Sequence, residues 1–218
     1  VDNLSWKFRW HEFDERFNAD LHPNEPNRHG WVVEFDPYDP TSQPVKHTAM
    51  GRMAHENAAL AIAPDNRVVY YMGDDDFRSR FEHIFKFVSA RPYVPGGGYQ
   101  ENQDVLDHGT LYAGRFDADG TGEWIELTQG KNGLTPEAGF SSQAEVVIDA
   151  RTAGDVVGAT YMDRPEWVAV HPVTKEVFCT LSNNTSRGRG APLGKTEVLG
   201  ADAANPRAPN LMGHVIRW

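Results

Sequence analysis

The sequence predicts an all-β fold of the β-propeller type, and two observations support this prediction. Short β-rich runs follow one another along most of the 218 residues, separated by Asp-Pro, Asn, Gly and Asp-Gly turn signals, and no long amphipathic helix is evident. A strand–turn–strand unit also occurs twice, in residues 56–75 and 166–184. Repetition of such units around a central axis is characteristic of propellers. The predicted strands are residues 31–35, 58–62, 67–72, 83–88, 110–116, 123–127, 145–148, 167–170, 176–181 and 214–218.

Both copies of the repeated unit begin with a glutamate and end in oxygen-bearing side chains. Glu56 opens the first copy and Glu166 opens the second. The proline of the central turn lies eleven positions before Asp75 in one copy and before Asn183 in the other. Equivalent glutamates at the start of two inner strands would converge near a propeller axis, where their hard oxygen atoms suit Ca²⁺ or a trivalent iron. The alternative is that each glutamate is a solvated residue at a strand end.

Three consecutive aspartates, Asp74 to Asp76, follow the second strand of the first copy. Adjacent like charges are unfavourable unless a cation or water compensates them, which favours a calcium site; a solvated turn is the alternative. Asn183 and Asn184 hold the corresponding place in the second copy, either as ligands or as turn residues that tolerate a left-handed backbone.

Arg164 is the candidate anion-binding residue. It lies two positions before Glu166 and directly before Pro165. A guanidinium group offers a planar fork of donors that matches phosphate oxygens, and a surface salt bridge is the alternative interpretation. His55, next to Glu56, is interpreted as a structural histidine.

A second, weaker repeat consists of a glycine, an apolar strand and a closing aromatic residue. It occurs in residues 30–35, 109–116 and 213–218, with 84–87 fitting except for the glycine, and it predicts the third strand of successive blades. Residues 18–28, 91–103 and 185–210 are predicted loops, and the last is long enough that a functional or disordered segment is expected. Residues 74–82 and 136–143 are compatible with single helical turns.

Composition restricts the classes of function. The chain has 21 Lys and Arg against 31 Asp and Glu, a net charge of −10, which disfavours nucleic-acid binding and suits divalent cations. No apolar run approaches about 20 residues, so no membrane span is expected, and the first residues show no signal-peptide pattern. The single cysteine, Cys179, excludes an intrachain disulfide and a thiolate zinc site, and it is predicted to be a buried strand residue.

The blade signals do not add up to a closed propeller. Roughly two or three blades are recognisable, whereas propellers close with four to eight. We therefore expect residues 1–218 to form one partial propeller domain of a longer chain, with little or no activity in these residues alone.

Several of these motifs together resemble the PhoX-type alkaline phosphatases, a bacterial family formerly described as a domain of unknown function. The resemblance extends from about Pro23 to Trp218. It is carried by Asn27-Arg-His-Gly-Trp-Val-Val-Glu-Phe-Asp-Pro37, Gly51-Arg-Met-Ala-His-Glu-Asn57, Tyr71-Met-Gly-Asp-Asp75, His83-Ile-Phe-Lys-Phe-Val-Ser89, Gly109-Thr-Leu-Tyr112, Asp163-Arg-Pro-Glu166 and Leu181-Ser-Asn-Asn184.

The resemblance implies a six-bladed propeller that is exported to the periplasm or secreted. It implies hydrolysis of small phosphomonoesters at a site containing calcium (Ca²⁺) and ferric iron (Fe³⁺). Glu56 and Glu166 are then metal ligands with a catalytic role, Arg164 binds the phosphate of the substrate, and Asp75 is a calcium ligand. The iron-bridging cysteine of the family and its neighbouring acid lie upstream of the matching region, so Cys179 is not their counterpart.

Two other functions fit the same residues. A calcium-dependent propeller lactonase or sugar esterase also uses acids at blade openings, although Arg164 argues against it. A non-catalytic propeller that serves as a binding module, with purely structural calcium, is the alternative from a different functional class.

Overall fold

β-Strands form most of the regular structure, as the sequence predicts. The computed structural model describes residues 8–75 and 81–218, and within these residues it contains ten strands and three short α-helices. Their bounds are β1 (Val33–Glu34), β2 (Val45–Lys46), β3 (His55–Ile62), β4 (Arg67–Asp74), β5 (Ile84–Pro92), α1 (Tyr99–Asn102), β6 (Gly109–Phe116), β7 (Gly122–Glu126), α2 (Gln143–Ile148), α3 (Ala150–Val157), β8 (Pro165–Val170), β9 (Val177–Leu181) and β10 (His214–Arg217). None of the helices in this part of the chain is long and apolar enough to span a membrane.

The strands form two main sheets and one small one. The five-stranded sheet has the order β3-β4-β5-β6-β7, the three-stranded sheet has the order β10-β9-β8, and β1 pairs only with β2. All pairings are antiparallel. The two copies of the repeated unit are the hairpins β3-β4 and β8-β9, so their prediction from the sequence is confirmed. The first strand of each hairpin lies at a sheet edge, and β8 packs against β3 and β4.

The weaker repeat is confirmed only in part. β5 and β10 are the third strands of their sheets, as expected. The prediction is wrong for residues 109–116, because β6 is the fourth strand of the sheet that contains β5 and not the third strand of a separate blade. It is also wrong for residues 30–35, where only the two residues of β1 pair, with the equally short β2.

The strand predicted at residues 145–148 is wrong, because these residues belong to α2. Ser142 and Glu145 form a capping box at its start, in which each side chain accepts a backbone N–H of the other residue. Val146 is fully buried in the core. Capping and burial together outweigh the strand propensity of the Val-Val-Ile run. The helix α3 was not predicted, because its buried face consists of Ala150, Ala153 and Gly154, which leave no helical period of large apolar residues.

A hydrophobic cluster joins the two main sheets. Ile84 of β5, Val168 of β8 and Cys179 of β9 are almost completely buried in it. Burial of such side chains stabilises a fold by roughly 1.5–3 kcal/mol each. Burial also raises the pKa of the Cys179 thiol to about 12. The prediction that Cys179 is a buried strand residue is therefore confirmed.

Lys86 of β5 lies among aromatic side chains. Its ammonium nitrogen is 5.0 Å from the ring centroid of Tyr112 and 4.7 Å from that of Trp124. Aromatic faces attract such a cation, but they replace water less well than a carboxylate does. Burial, and after it the positive charge of Arg67, lowers the pKa of Lys86 to about 8.

Replacement of Lys86 by Met should change the pH dependence of stability. An unfolded lysine has a pKa of about 10.4, so between pH 8 and about 10.4 the unfolded chain holds a proton that the folded chain has released. Stability therefore rises with pH in this window. Lys86→Met removes the titrating group. As the pH rises through this window, the free energy of unfolding of the variant should therefore increase by about 1 kcal/mol less than that of the wild type, after allowance for the partial exposure of Lys86.

Urea denaturation at about pH 7.5 and pH 10 measures this difference. Lys195→Met, a change at an exposed lysine, is the matched control, and its free energy of unfolding should change with pH as that of the wild type does. If the free energy of unfolding of Lys86→Met rose with pH as much as that of the wild type, the lowered pKa of Lys86 would be contradicted.

Candidate metal and phosphate site

Both repeated glutamates lie at irregularities in strand pairing. The β3–β4 register shifts between His55 and Asn57, and Glu56 is the residue between them. The β8–β9 register shifts between Pro165 and Val168, which spans Glu166. Such bulges bend a strand and redirect a side chain, and they are common beside active sites. The same local irregularity therefore sets the direction of both carboxylates.

The two hairpins meet at Gly73, near the end of β4. A Cβ atom at this position would lie 2.7 Å from the carbonyl oxygen of Pro165 and 2.9 Å from that of Glu166. Real Cβ atoms do not approach backbone oxygens so closely, so only glycine allows β4 to lie directly on β8. This contact brings the residues after β4 next to the start of β8.

Arg164 crosses from one sheet to the other and binds Asp75. Its Nε donates to Oδ1 of Asp75 at 3.1 Å, and its Nη2 donates to Oδ2 at 2.7 Å. The Arg164 Nη2 also lies 3.7 Å from a carboxylate oxygen of Glu166. The hydrogen bonds to Asp75 raise the pKa of Arg164, although partial burial opposes them, so the guanidinium stays charged. The side chain of Arg164 is 36% exposed and that of Asp75 only 10%, so the arginine keeps a surface that a ligand can reach.

Glu56 joins this cluster from β3. Its carboxyl group is within hydrogen-bonding reach of Glu166. The pKa of Glu56 is raised, first by burial and then by the negative charges of Glu166 and Asp75, while the charge of Arg164 partly offsets them. The structure thus brings together Glu56, Asp75, Arg164 and Glu166, the four residues that the sequence singled out.

The cluster fits part of a metal site. Two adjacent carboxylates offer the hard oxygen donors that calcium and ferric iron bind, and a cation between them would remove their mutual repulsion. Within the described parts of the chain, however, no group of three or more His, Cys, Asp or Glu side chains could hold a metal ion by itself. The glutamate pair therefore supplies two donors of a site that needs further ligands.

The backbone of Arg164 is held in an unusual conformation. Its φ is +52°, a left-handed value that costs a non-glycine residue energy and recurs at functional sites. The preceding residue, Asp163, is fully buried. Asp163 accepts a 2.6 Å hydrogen bond from Nε of Arg187 and a 3.0 Å hydrogen bond from Nδ2 of Asn210, and its backbone N–H donates to Asn205.

Arg187 anchors the long loop beneath the site. It is fully buried, and its Nη groups donate to the backbone oxygens of Gly200 and Tyr161 and to the carboxylate of Asp202. The sequence did not reveal this support, because residues 185–210 contain no periodic pattern. The segment contains three arginines, Arg187, Arg189 and Arg207, and nothing local distinguishes the first from the other two.

Other candidate residues have structural roles or lie elsewhere. The backbone of Asn184 pairs with that of Asn210. His55 bonds the carbonyl oxygen of Gly51 through Nε2 at 3.1 Å, as expected for a structural histidine. Asp76, the third aspartate of the run, lies outside the described residues.

The structure also corrects the alignment of the two repeats. In the first copy, the backbone N–H of Asp75 donates to the carbonyl oxygen of Ala54, two residues before Glu56. In the second copy, the backbone N–H of Ser182 donates to the carbonyl oxygen of Arg164, two residues before Glu166. Ser182 is therefore the counterpart of Asp75, and the placement of Asn183 there from the sequence is wrong by one residue.

Comparisons with known proteins show which family this chain resembles. A sequence model of the family described as alkaline phosphatase PhoX matches residues 5–218. The solved structure of Pseudomonas fluorescens PhoX in complex with vanadate, a transition state analogue, is 53% identical with a TM-score of 0.86. That match covers 96% of this chain and 36% of the other, so this chain spans about a third of the length of its relative. A comparison with curated proteins found no match.

The contact at Gly73 can be tested by adding one methyl group. Gly73→Ala forces β4 away from β8, and we expect the free energy of unfolding to fall by about 2–3 kcal/mol, as for other overpacked contacts. Urea denaturation measures the loss. Gly200→Ala is the matched control, because a Cβ at Gly200 meets no atom within 4 Å. Equal stability of the two variants would show that the close contact does not constrain the fold.

Proposed function

This chain belongs to the alkaline phosphatase PhoX family, and on that premise we propose that the protein hydrolyses phosphomonoesters. Its residues 8–218 would supply the phosphate-binding arginine and two metal ligands of the active site. The observation that carries the proposal is the position of Arg164, which Asp75 holds beside the glutamate pair of Glu56 and Glu166. The similarity to a PhoX structure that contains vanadate supports the same proposal.

Arg164 would bind the phosphoryl group of the substrate. Asp75 accepts hydrogen bonds from Nε and Nη2 and thereby fixes the plane of the guanidinium. A fixed guanidinium can stabilise the charge that develops on phosphoryl oxygens without reorganising during the reaction. The pairing with Asp75 therefore prepares Arg164 for its task rather than neutralising it.

Glu56 and Glu166 would hold the metal ions, and calcium and ferric iron are the proposed ions. When bound, such cations act as Lewis acids that withdraw charge from phosphoryl oxygens. Asp75 would be a calcium ligand as well, because each oxygen of its carboxylate keeps a second lone pair after binding Arg164. The remaining ligands would come from other parts of the protein.

The same proposal extends to the architecture and the location. The two main sheets would be blades of a six-bladed propeller, with residues 1–218 as a partial domain of it. Support comes from the edge positions of β3 and β8 and from the convergence of their first residues. The protein would act in the periplasm or outside the cell on small phosphomonoesters.

Replacement of Arg164 by Lys tests the phosphate contact. Lysine keeps the charge but loses the planar fork, so kcat/KM for p-nitrophenyl phosphate should fall by about 10²–10³-fold in the full-length enzyme. Metal content by elemental analysis should not change. Arg115→Lys is the matched control, because Arg115 also pairs with acids, Asp117 and Glu123, on the exposed β6–β7 hairpin. Near-normal turnover in Arg164→Lys would refute the assigned role.

Replacement of Glu166 by Gln tests the metal contact. The amide keeps the size of the side chain and removes the charge that a cation needs, so the purified full-length protein should lose calcium or iron together with turnover. Elemental analysis gives the metal content per chain. Glu123→Gln, a change on the exposed hairpin, should retain the wild-type content. A full complement of metals in Glu166→Gln would exclude this glutamate as a ligand, and structural calcium without turnover in the wild type would favour a binding module.

A further inference from the structure

A cavity of about 580 Å³ lies beside the Arg164–Asp75 pair. Asp74 and Asp75 from the end of β4 form part of its wall, together with Arg151 and Thr152 from α3 and Leu193 from the long loop. Asp75 also accepts the hydrogen bonds of Arg164. The cavity therefore borders the residue that holds the guanidinium, although Arg164 itself does not line it.

Hydrogen bonds hold the two arginines of the cavity wall in place. Arg52, another lining residue, donates from Nε to the carbonyl oxygens of Pro26 and His29 and from Nη1 to that of Ile148. Arg151 donates from Nη1 to Asp155 and from Nη2 to the carbonyl oxygen of Phe81. Several hydrogen bonds therefore fix this part of the wall in advance, as is usual in binding sites for small molecules.

Charges of both signs and apolar groups line the cavity together. Arg52 contributes positive charge, and within the described residues it donates hydrogen bonds only to neutral carbonyl oxygens. Asp74 and Asp149 contribute negative charge, while Met53 and Leu193 contribute apolar surface. A lining of this kind suits a polar organic group that carries little net charge and can accept and donate hydrogen bonds.

We propose that this cavity receives the organic part of the phosphomonoester, while the phosphoryl group lies on Arg164. The inference rests on the proposed phosphatase function and deepens it. Its volume lies within the range of about 300–1,000 Å³ that is usual for small-molecule sites, and it accommodates a leaving group the size of a sugar or an aromatic alcohol. Affinity then depends on the size of the organic part as well as on the phosphoryl group.

Thr152→Trp tests the cavity, because Thr152 is exposed on α3 and an indole there would occupy part of the space. The probes are methylphosphonate and phenylphosphonate, stable analogues with a small and a large organic part, titrated calorimetrically into the full-length protein with its metals. We expect phenylphosphonate to bind Thr152→Trp about tenfold or more weakly than it binds the wild type, because of the steric clash. Methylphosphonate should bind both proteins within about twofold.

Val156→Trp is the matched control, since Val156 is exposed one helical turn further along α3 and does not line the cavity. It should bind both phosphonates like the wild type. If Thr152→Trp lowers the melting temperature markedly, Leu193→Trp, on the exposed loop side of the cavity, replaces it. If Thr152→Trp bound phenylphosphonate like the wild type, or bound both phosphonates equally more weakly, the assignment of the cavity would be overturned and the proposed function would not. Failure of the wild type to bind either phosphonate would overturn the proposed function and this inference with it.

Discussion

The close contact between β4 and β8 at Gly73 is the constraint on which the site depends. Without a side chain at this position, the end of one hairpin lies directly on the start of the other. Arg164 can then cross to Asp75 and form two hydrogen bonds between the sheets. The hydrophobic cluster around Ile84 and Val168 holds the sheets together, but it does not orient any polar group. The direction of the functional side chains comes from the bulges and from this single backbone contact.

The strained backbone of Arg164 is held in place by a buried network around the preceding residue, Asp163. A left-handed φ at a non-glycine residue costs on the order of 1–3 kcal/mol. Asp163 is tied to Arg187, Asn205 and Asn210, all of them buried, so the backbone before Arg164 has little freedom to relax. A buried ion pair of this kind contributes little net stability by itself, yet loss of one partner is costly. The long loop that carries Arg187 therefore supports the backbone before Arg164, and of the two alternatives expected for this segment, functional or disordered, this role favours the first.

The sequence predicted the parts of the structure that depend on local patterns. Both hairpins have alternating apolar residues and clear turn signals, so β3, β4, β8 and β9 were found, and their glutamates were placed together through the repeat. The capping box at Ser142 and the small-residue face of α3 are weaker signals in the sequence than a Val-Val-Ile run, which favours a strand. The sequence therefore does not predict α2 or α3. Arg187 was not identified because its role arises from contacts with residues distant in sequence, which no local pattern records. The one-residue error at Asn183 arises because the turn and the second strand differ in length between the two hairpins, so a count from the turn proline does not align their ends.

The difference between the two repeats gives an acidic protein a fixed positive group. Each copy presents a glutamate at the same bulge, and two such acids alone would repel phosphate. The residue two positions earlier is Ala54 in the first copy and Arg164 in the second, while the opposite strand supplies Asp75 in the first copy and Ser182 in the second. The cation of one copy is therefore held by the acid of the other, and a chain with a net charge of −10 acquires a fixed positive group beside its paired carboxylates. Two copies of the first kind would carry acids only, and two copies of the second kind would carry arginines without an aspartate to hold them. The divergence of the repeats is therefore what gives the site an arginine fixed by an acid.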